Sequence, residues 1–185
     1  MSNQTITMIK KRRSHRSYDH QQINADQLEA LMSAALHSPS ARDLQPWHFS
    51  FVQNKELLSQ INTAAHHQAR LLSDANRSAR FLDADFDVFY HAPTVVIISS
   101  AEGSFSPVDC GIAAQTLALA AESLGLGSVI VGLANFAFTG TDRAVLEEAL
   151  HFPQDYHFVI SIAIGFPTDE KAPHPLDPEK ITLIQ

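Results

Sequence analysis

Apolar residues recur at helical spacing in some stretches of the chain and alternate in others. Ile6 and Ile9 share one face of a short amphipathic helix predicted over Thr5–Arg13. Asn24 opens a second helix. Gln27 follows it at the capping-box spacing, and Leu28, Leu31, Met32 and Ala35 form one apolar stripe. Pro39 ends that pattern. Over Trp47–Val52 the period becomes two, with Trp47, Phe49 and Phe51 alternating with His48, Ser50 and Val52, which predicts a half-buried strand. Asn54 can cap a third helix through Leu57, Leu58 and Ile61. Between His66 and His91 the periodicity breaks. Arg70, Arg77 and Arg80 alternate with Asp74, Asp83, Asp85 and Asp87, and Leu71, Leu72, Phe81, Phe86 and Phe89 supply apolar anchors. Helical pieces with a mobile excursion are expected there, suited to covering a pocket or partner; a solvated helix pair fits the pattern equally well.

Thr94–Ser100, TVVIISS, is β-branched and bounded by Pro93 and Gly103, so it reads as a fully buried strand. Pro107–Leu124 is a helix with apolar residues nearly all round and many alanines, which predicts burial on most sides and room for a second helix or subunit. Gly125 and Gly127 end it and lead into a strand over Ser128–Val131. Thr141–Leu150 is a charged amphipathic helix, and His157–Ile164 is another core strand. From Pro167 the prolines at 167, 173, 175 and 178 exclude regular structure, and a tail lying along a surface is expected. The order of elements predicts one α+β domain over residues 1–185, with about four core strands in a mixed sheet and helices on both faces.

Composition narrows the partners. The chain has 185 residues, enough to bury roughly two thirds of its unfolded surface. Its net charge of −7 argues against nucleic acid or an anionic membrane as partner. The single cysteine, Cys110, excludes an intramolecular disulfide, fits a reducing, cytoplasmic setting and reads as a small core residue. No signal peptide or membrane-spanning run is visible. The ten histidines are scattered without a zinc spacing.

Two stretches carry candidate chemistry. Lys10–Tyr18, KKRRSHRSY, gathers Arg12, Arg13 and Arg16 around Ser14, and guanidinium and hydroxyl groups together suit a phosphate. Ser38–Val52, SPSARDLQPWHFSFV, runs from a polar turn into an aromatic strand, which places hydroxyls and free amides beside a flat apolar surface. A ligand with a planar ring and a polar tail needs such a place.

RRSHR followed by SPSARDLQPW resembles the nitroreductase family of FMN-dependent oxidoreductases. DCGIAAQTLALAAESLGLGSVIVGL over Asp109–Leu133 is similar to that family's central helix, Gly-Leu-Gly turn and following strand, and VISIAIGFP over Val159–Pro167 to its last core strand. The resemblance implies a mostly antiparallel sheet flanked by helices, an intertwined homodimer, two FMN sites at the subunit interface, and a C-terminal extension from about residue 167. It implies that Arg12, Arg13 and Ser14 bind the FMN phosphate and ribityl chain, and that Arg16 reaches the N1–O2 edge of the ring. Pro39, Ser40 and Ala41 would close the site from the other subunit, with Asp43 and Gln45 nearby. The backbone of Ile130, Val131, Gly132 and Leu133 would pass beneath the ring. The implied reaction is ping-pong: NADH or NADPH reduces the flavin, leaves, and is replaced by a nitroaromatic, quinone or similar small-molecule acceptor. No protein nucleophile is needed, so no residue beyond the flavin is expected to be catalytic.

The chain departs from the family pattern in three places. Asp43 stands where asparagine is frequent, the basic pair of the tail is replaced by KAPHPLDPEK with only Lys171 and His174, and the strand after Gly-Leu-Gly lacks a tryptophan and an acidic residue. Two other readings stay open from sequence: a flavin-binding sensory or storage protein without efficient turnover, and a helix-rich interaction protein whose RRSHR is merely solvated.

Overall fold

The computed structural model describes residues 3–71 and 79–185. Its helices are α1 (Gln4–Lys11), α2 (Ala25–Leu36), α3 (Lys55–Leu71), α4 (Ser106–Ser123) and α5 (Arg143–Ala149). Its strands are β1 (Trp47–Val52), β2 (Thr94–Ala101), β3 (Gly127–Val131) and β4 (Tyr156–Gly165). The strands form one antiparallel sheet in the order β1-β2-β4-β3. The four strands pair only antiparallel; one isolated parallel bridge, between Ser14 and Ser128, lies outside them.

Local signals account for most element ends. The Asn24 side chain accepts from the Gln27 amide at 2.8 Å, and the Gln27 side chain accepts from the Asn24 amide at 3.1 Å, so the capping box forms. Asn54 accepts from the Leu57 amide at 2.8 Å and starts α3. Helix α1 stops at Lys11, short of the predicted Arg13. Arg12 leaves it at ψ 132°, and the Arg13 guanidinium donates to the carbonyls of Lys10 (2.7 Å) and Arg12 (2.8 Å). A cation bonded to the last carbonyls replaces the helical turn that would otherwise satisfy them. Helix α5 is likewise shorter than Thr141–Leu150 and buries only Leu146.

Each face of the sheet carries a core. On one, Val95, Ile97, Val129 and Ala163 meet α3 and the turn Leu133–Phe138. Phe81 is fully buried there, edge-on to Phe86 at 5.4 Å and Phe136 at 5.2 Å. The aromatics of the irregular 66–91 segment are therefore core anchors; its Leu72, Asp74 and Arg77 lie outside the described residues. On the other face, Val96, Ile98, Ile162 and Ile164 meet Leu31 and Ala35 of α2 and Cys110, Ala113, Ala114, Leu117, Ala118 and Ala121 of α4. Burial pushes the Cys110 thiol up to about 11, against a weaker downward pull from Ser100, so it packs as an inert small residue. Among the described residues no helix is long and apolar enough to cross a membrane. Residues 170–185 are exposed, with one 3₁₀ turn at Pro178–Lys180.

Gly127 begins β3 where backbone strands crowd. A Cβ there would sit 2.8 Å from Pro167 Cβ and 3.0 Å from His15 Cδ2. We expect Gly127→Ala to destabilise the protein by about 1–3 kcal/mol, the usual range for overpacking. Chemical denaturation beside wild type checks this, and an unchanged midpoint would show that Pro167 and His15 can give way.

Candidate functional site

Strand β3 is the last strand at one edge of the sheet, and the segment after α1 covers part of that edge. Ser14 bridges Ser128, and the His15 amide donates to the Ser128 carbonyl at 3.0 Å. The segment is extended there, so its side chains alternate. Lys11, Arg13 and His15 line one cavity of ≈ 480 Å³ with Glu122, Asp169 and Lys171. Arg12, Ser14 and Arg16 do not line that cavity, and the Arg16 guanidinium carbon lies 5.9 Å from the centroid of the Tyr90 ring. The resemblance implies that Arg12, Arg13 and Ser14 act together on the phosphate; of these, only Arg13 lines the cavity with Lys11 and His15. Arg13 Nη1 caps α1, while its Nε is buried without a partner among the described residues.

A clasp from the tail holds this segment. Asp169 Oδ1 accepts from His15 Nδ1 at 2.6 Å, and Oδ2 accepts from the Arg16 amide at 3.0 Å and meets Lys171 Nζ at 3.0 Å. Burial alone would raise this carboxyl. The Arg16 amide, His15 and Lys171 outweigh burial and hold it down at about 2. Ser17 Oγ and Thr168 Oγ1 are 2.6 Å apart, and the Tyr18 hydroxyl donates to the His15 carbonyl at 2.8 Å. Burial pushes that phenol far up, so it stays a neutral donor. Lys171, read from sequence as a poor substitute for a phosphate ligand, is bonded to Asp169 in this arrangement; His174 is exposed.

Beyond the bridge, the edge of β3 is open. Ile130 is 40% exposed, Val131 is buried, Gly132 is exposed and Leu133 half-buried. A Cβ built on Gly132 would meet only Ile160 Cδ1, at 3.8 Å, so there is free space above this backbone.

The loop before β1 is held rigid. Asp109, 4% exposed in the first turn of α4, accepts from the Ala41 amide at 3.1 Å. Ser40 Oγ accepts from the Gln45 amide at 2.9 Å, and Gln45 Nε2 donates to Asp43 Oδ1 at 3.0 Å. Arg42, Asp43 and Gln45 have φ of 57°, 55° and 45°. Three non-glycine residues in the left-handed region mark a loop whose shape is imposed by its surroundings. Pro39, Asp43 and Gln45 are exposed, and Ser40 and Ala41 half-buried.

These two halves do not meet within one chain. The loop enters β1 at Trp47, opposite Ser100, and in turn His157, at one corner of the sheet. Ser14 sits on Ser128, opposite Ile164, and in turn Thr94, at the diagonal corner. Four strand spacings across, from β1 to the Ser14 segment, and six residues along separate the two by roughly 25–30 Å. Sequence reasoning missed Asp109, Asp169, His15 and Tyr90 as parts of the site. His15 lay inside the RRSHR motif; the others carry no local signal.

Fold and site together define a class, and comparison with known proteins names it. Residues 9–166 match the model of the nitroreductase family, and the chain belongs to that family. A nitroreductase from Desulfitobacterium hafniense, solved with bound FMN, superposes with a TM-score of 0.94 at 31% identity, over 100% of both chains. The FMN reductase [NAD(P)H] of Bacillus subtilis is 32% identical over 96% of this chain and 72% of its own length. The NADPH-flavin oxidoreductase of Vibrio harveyi is 30% identical over 98% of this chain and 73% of its own.

Asp169 gives the clasp a pH signature. Its folded carboxyl lies at about 2, below the ordinary 3.8, so its stabilising effect is complete above about pH 4 and is lost as pH falls toward 2. We expect Asp169→Asn to be less stable than wild type at pH 5, with the difference closing toward pH 2. Denaturation curves at pH 5, 3 and 2 check this; a difference that persists at pH 2 would remove the charge from the account.

Proposed function

We propose that this protein is an FMN-dependent oxidoreductase that takes hydride from NADH or NADPH and passes it in turn to nitroaromatic, quinone or similar electron-poor acceptors. The carrying observation is the bridge from Ser14, flanked by Arg12 and Arg16 in sequence, to Ser128, which opens on the exposed backbone of Ile130–Leu133 at one edge of the sheet. The residues present fit FMN. Arginine and a hydroxyl suit a phosphate, and the space above Gly132 and the exposed Ile130 suit an apolar ring. When bound, FMN supplies the hydride-accepting and hydride-donating centre.

The chain's own residues bind and orient. Arg12 and Ser14 hold the phosphate end. Arg16 sets a cation at the N1–O2 edge, where negative charge collects on reduction, and favours the reduced form. Ile130–Leu133 form the floor against which the ring lies. Arg13 acts through α1 and the Lys11–His15 side, supporting the segment more than touching the phosphate.

We further propose a homodimer in which Pro39, Ser40, Ala41, Asp43 and Gln45 of one copy complete the site of the other. The diagonal separation of the two halves supports this. So does the outer stripe of α4 and its entry: Phe105 is 60% exposed, Val108 57% and Ile112 39%, although the alanines of α4 are already buried in their own chain. Exposed Leu176, Ile181, Leu183 and Ile184 give the tail apolar side chains that a second copy can cover. A single domain and a cytoplasmic location complete the reading, the latter suiting a buried free thiol.

Two measurements test this. Arg12→Ala with Ser14→Ala is expected to give folded, colourless protein. Two charge-assisted bonds of about 1.5–3 kcal/mol each correspond to at least a hundredfold loss of FMN affinity. Stoichiometric yellow flavin after dialysis of the double variant would remove the assignment, and wild type that stays yellow but does not oxidise NAD(P)H with an added quinone would make it a binding protein instead. Light scattering at micromolar concentration should give a dimer for wild type and a monomer, with FMN released, for Val108→Asp with Ile112→Asp. A wild-type monomer that keeps its flavin would refute the shared site.

A further inference from the structure

Tyr90 lies outside every motif that the function above uses, yet it is the aromatic neighbour of Arg16. Tyr90 and His91 have φ of 58° and 56°, two successive non-glycine residues in the left-handed region. Such backbone persists only where its surroundings over-determine it. Here they do. Asp87 Oδ1 accepts from the amides of Phe89 at 2.8 Å and His91 at 3.1 Å, and the Tyr90 amide donates to the Asp87 carbonyl at 3.0 Å. Asn62 of α3 accepts from the Val88 amide at 2.9 Å, and Val88 and Phe89 are buried on either side of that bond. The turn is thus nailed to α3 and the core, and Tyr90 is the half-buried aromatic side chain it holds out.

The ring of Tyr90 is fixed in its turn. It stands edge-on to Phe86 at 5.9 Å, and Arg80 Nη1 donates to its hydroxyl at 3.0 Å. The Arg16 guanidinium, exposed to solvent, lies 5.9 Å from the ring centroid, within cation–π range. Its hydrogen bond to the Ser14 carbonyl is long, at 3.4 Å. Asp169 fixes the Arg16 backbone, but a long flexible side chain on a fixed backbone still samples many rotamers.

We infer that Tyr90 is a positioning residue: its ring, locked by Phe86, Arg80 and the strained turn, holds the Arg16 guanidinium at the edge of the flavin. This rests on the role proposed for Arg16 above. Tyr90 itself moves no proton and accepts no electron. It limits where the cation can be, so that the cation is in place when charge develops on the ring.

The experiment is a spectroelectrochemical titration of bound FMN in wild type, Arg16→Gln, Tyr90→Leu, Tyr90→Phe and the double variant Arg16→Gln/Tyr90→Leu. Tyr90→Leu should lose roughly tenfold of the preference for reduced over oxidised FMN, a fall of about 30 mV for a two-electron couple, with FMN occupancy kept. Tyr90→Phe, which keeps the ring, should restore most of the loss, and the double variant should lie no lower than Arg16→Gln alone. If Arg16→Gln lowers the potential and Tyr90→Leu does not, the positioning role falls while the Arg16 role stands. An unmoved potential in Arg16→Gln removes the Arg16 role and this one with it. Additive falls in the double variant would mean that Tyr90 acts on the flavin by itself, which also overturns the inference. Should Tyr90→Leu fail to fold, Tyr90→Gln, which removes the ring but keeps a polar group at the surface, takes its place; it should lower the potential in the same direction, and no change there refutes the role.

Discussion

The open edge of β3 is the constraint on which the candidate site depends. An edge strand leaves a row of backbone groups unpaired, and these must be covered or put to use. Ser14 and His15 cover the start of the row at Ser128. Ile130 and Gly132 leave the rest accessible. Covering the edge also fixes the backbone of the RRSHR segment, with Lys11, Arg13 and His15 lining the cavity beside Asp169 and with Arg16 meeting Tyr90. The same backbone pairing thus builds the floor of the site and sets out the cations around it.

That arrangement needs support from distant parts of the chain. Asp169, just past β4, binds the imidazole of His15 and the amide of Arg16, and Tyr90, just before β2, meets the guanidinium of Arg16. Backbone and side chain of one residue are restrained by two elements that share no sequence neighbourhood. The order β1-β2-β4-β3 brings both of them to the β3 side. The same order sends the Ser38–Gln45 loop to the diagonal corner, where Asp109 of α4 holds it in a conformation of high local strain. A loop made rigid so far from the rest of the site has a physical use if a second copy receives it.

Much of the fold was legible because it is written in short-range periodicity. The strand Trp47–Val52, the buried strand beginning at Thr94 and the capping box at Asn24 all followed from residues within one turn or one pleat of each other. So did the alanine-rich α4, whose small side chains let it lie flat on β2 and β4. The end at Arg13 moved because the Arg13 guanidinium bonds the last carbonyls in place of a further helical turn, whereas α5 starts at Arg143 behind Asp142, whose side chain makes no capping bond. The segment between His66 and His91 read as a cover for a pocket or as a solvated helix pair because composition does not say which way a ring points; Phe81 and Phe86 pack into the core with Phe136.

By itself the sequence determined the elements, their order, the motifs that carry the family resemblance, and the two stretches that hold cations and a polar turn. The elements follow from local spacing, which survives in one dimension. Only the tertiary structure decided that Ser14 bridges Ser128, that Arg13 caps a helix, that Asp169 and Tyr90 meet Arg16, and that the Ser38–Gln45 loop and the Ser14 segment lie at opposite corners. Each of these follows from strand pairing over long separations. Pairing sets side-chain parity and neighbours through hydrogen-bond register, and register is a property of two strands together, not of either alone.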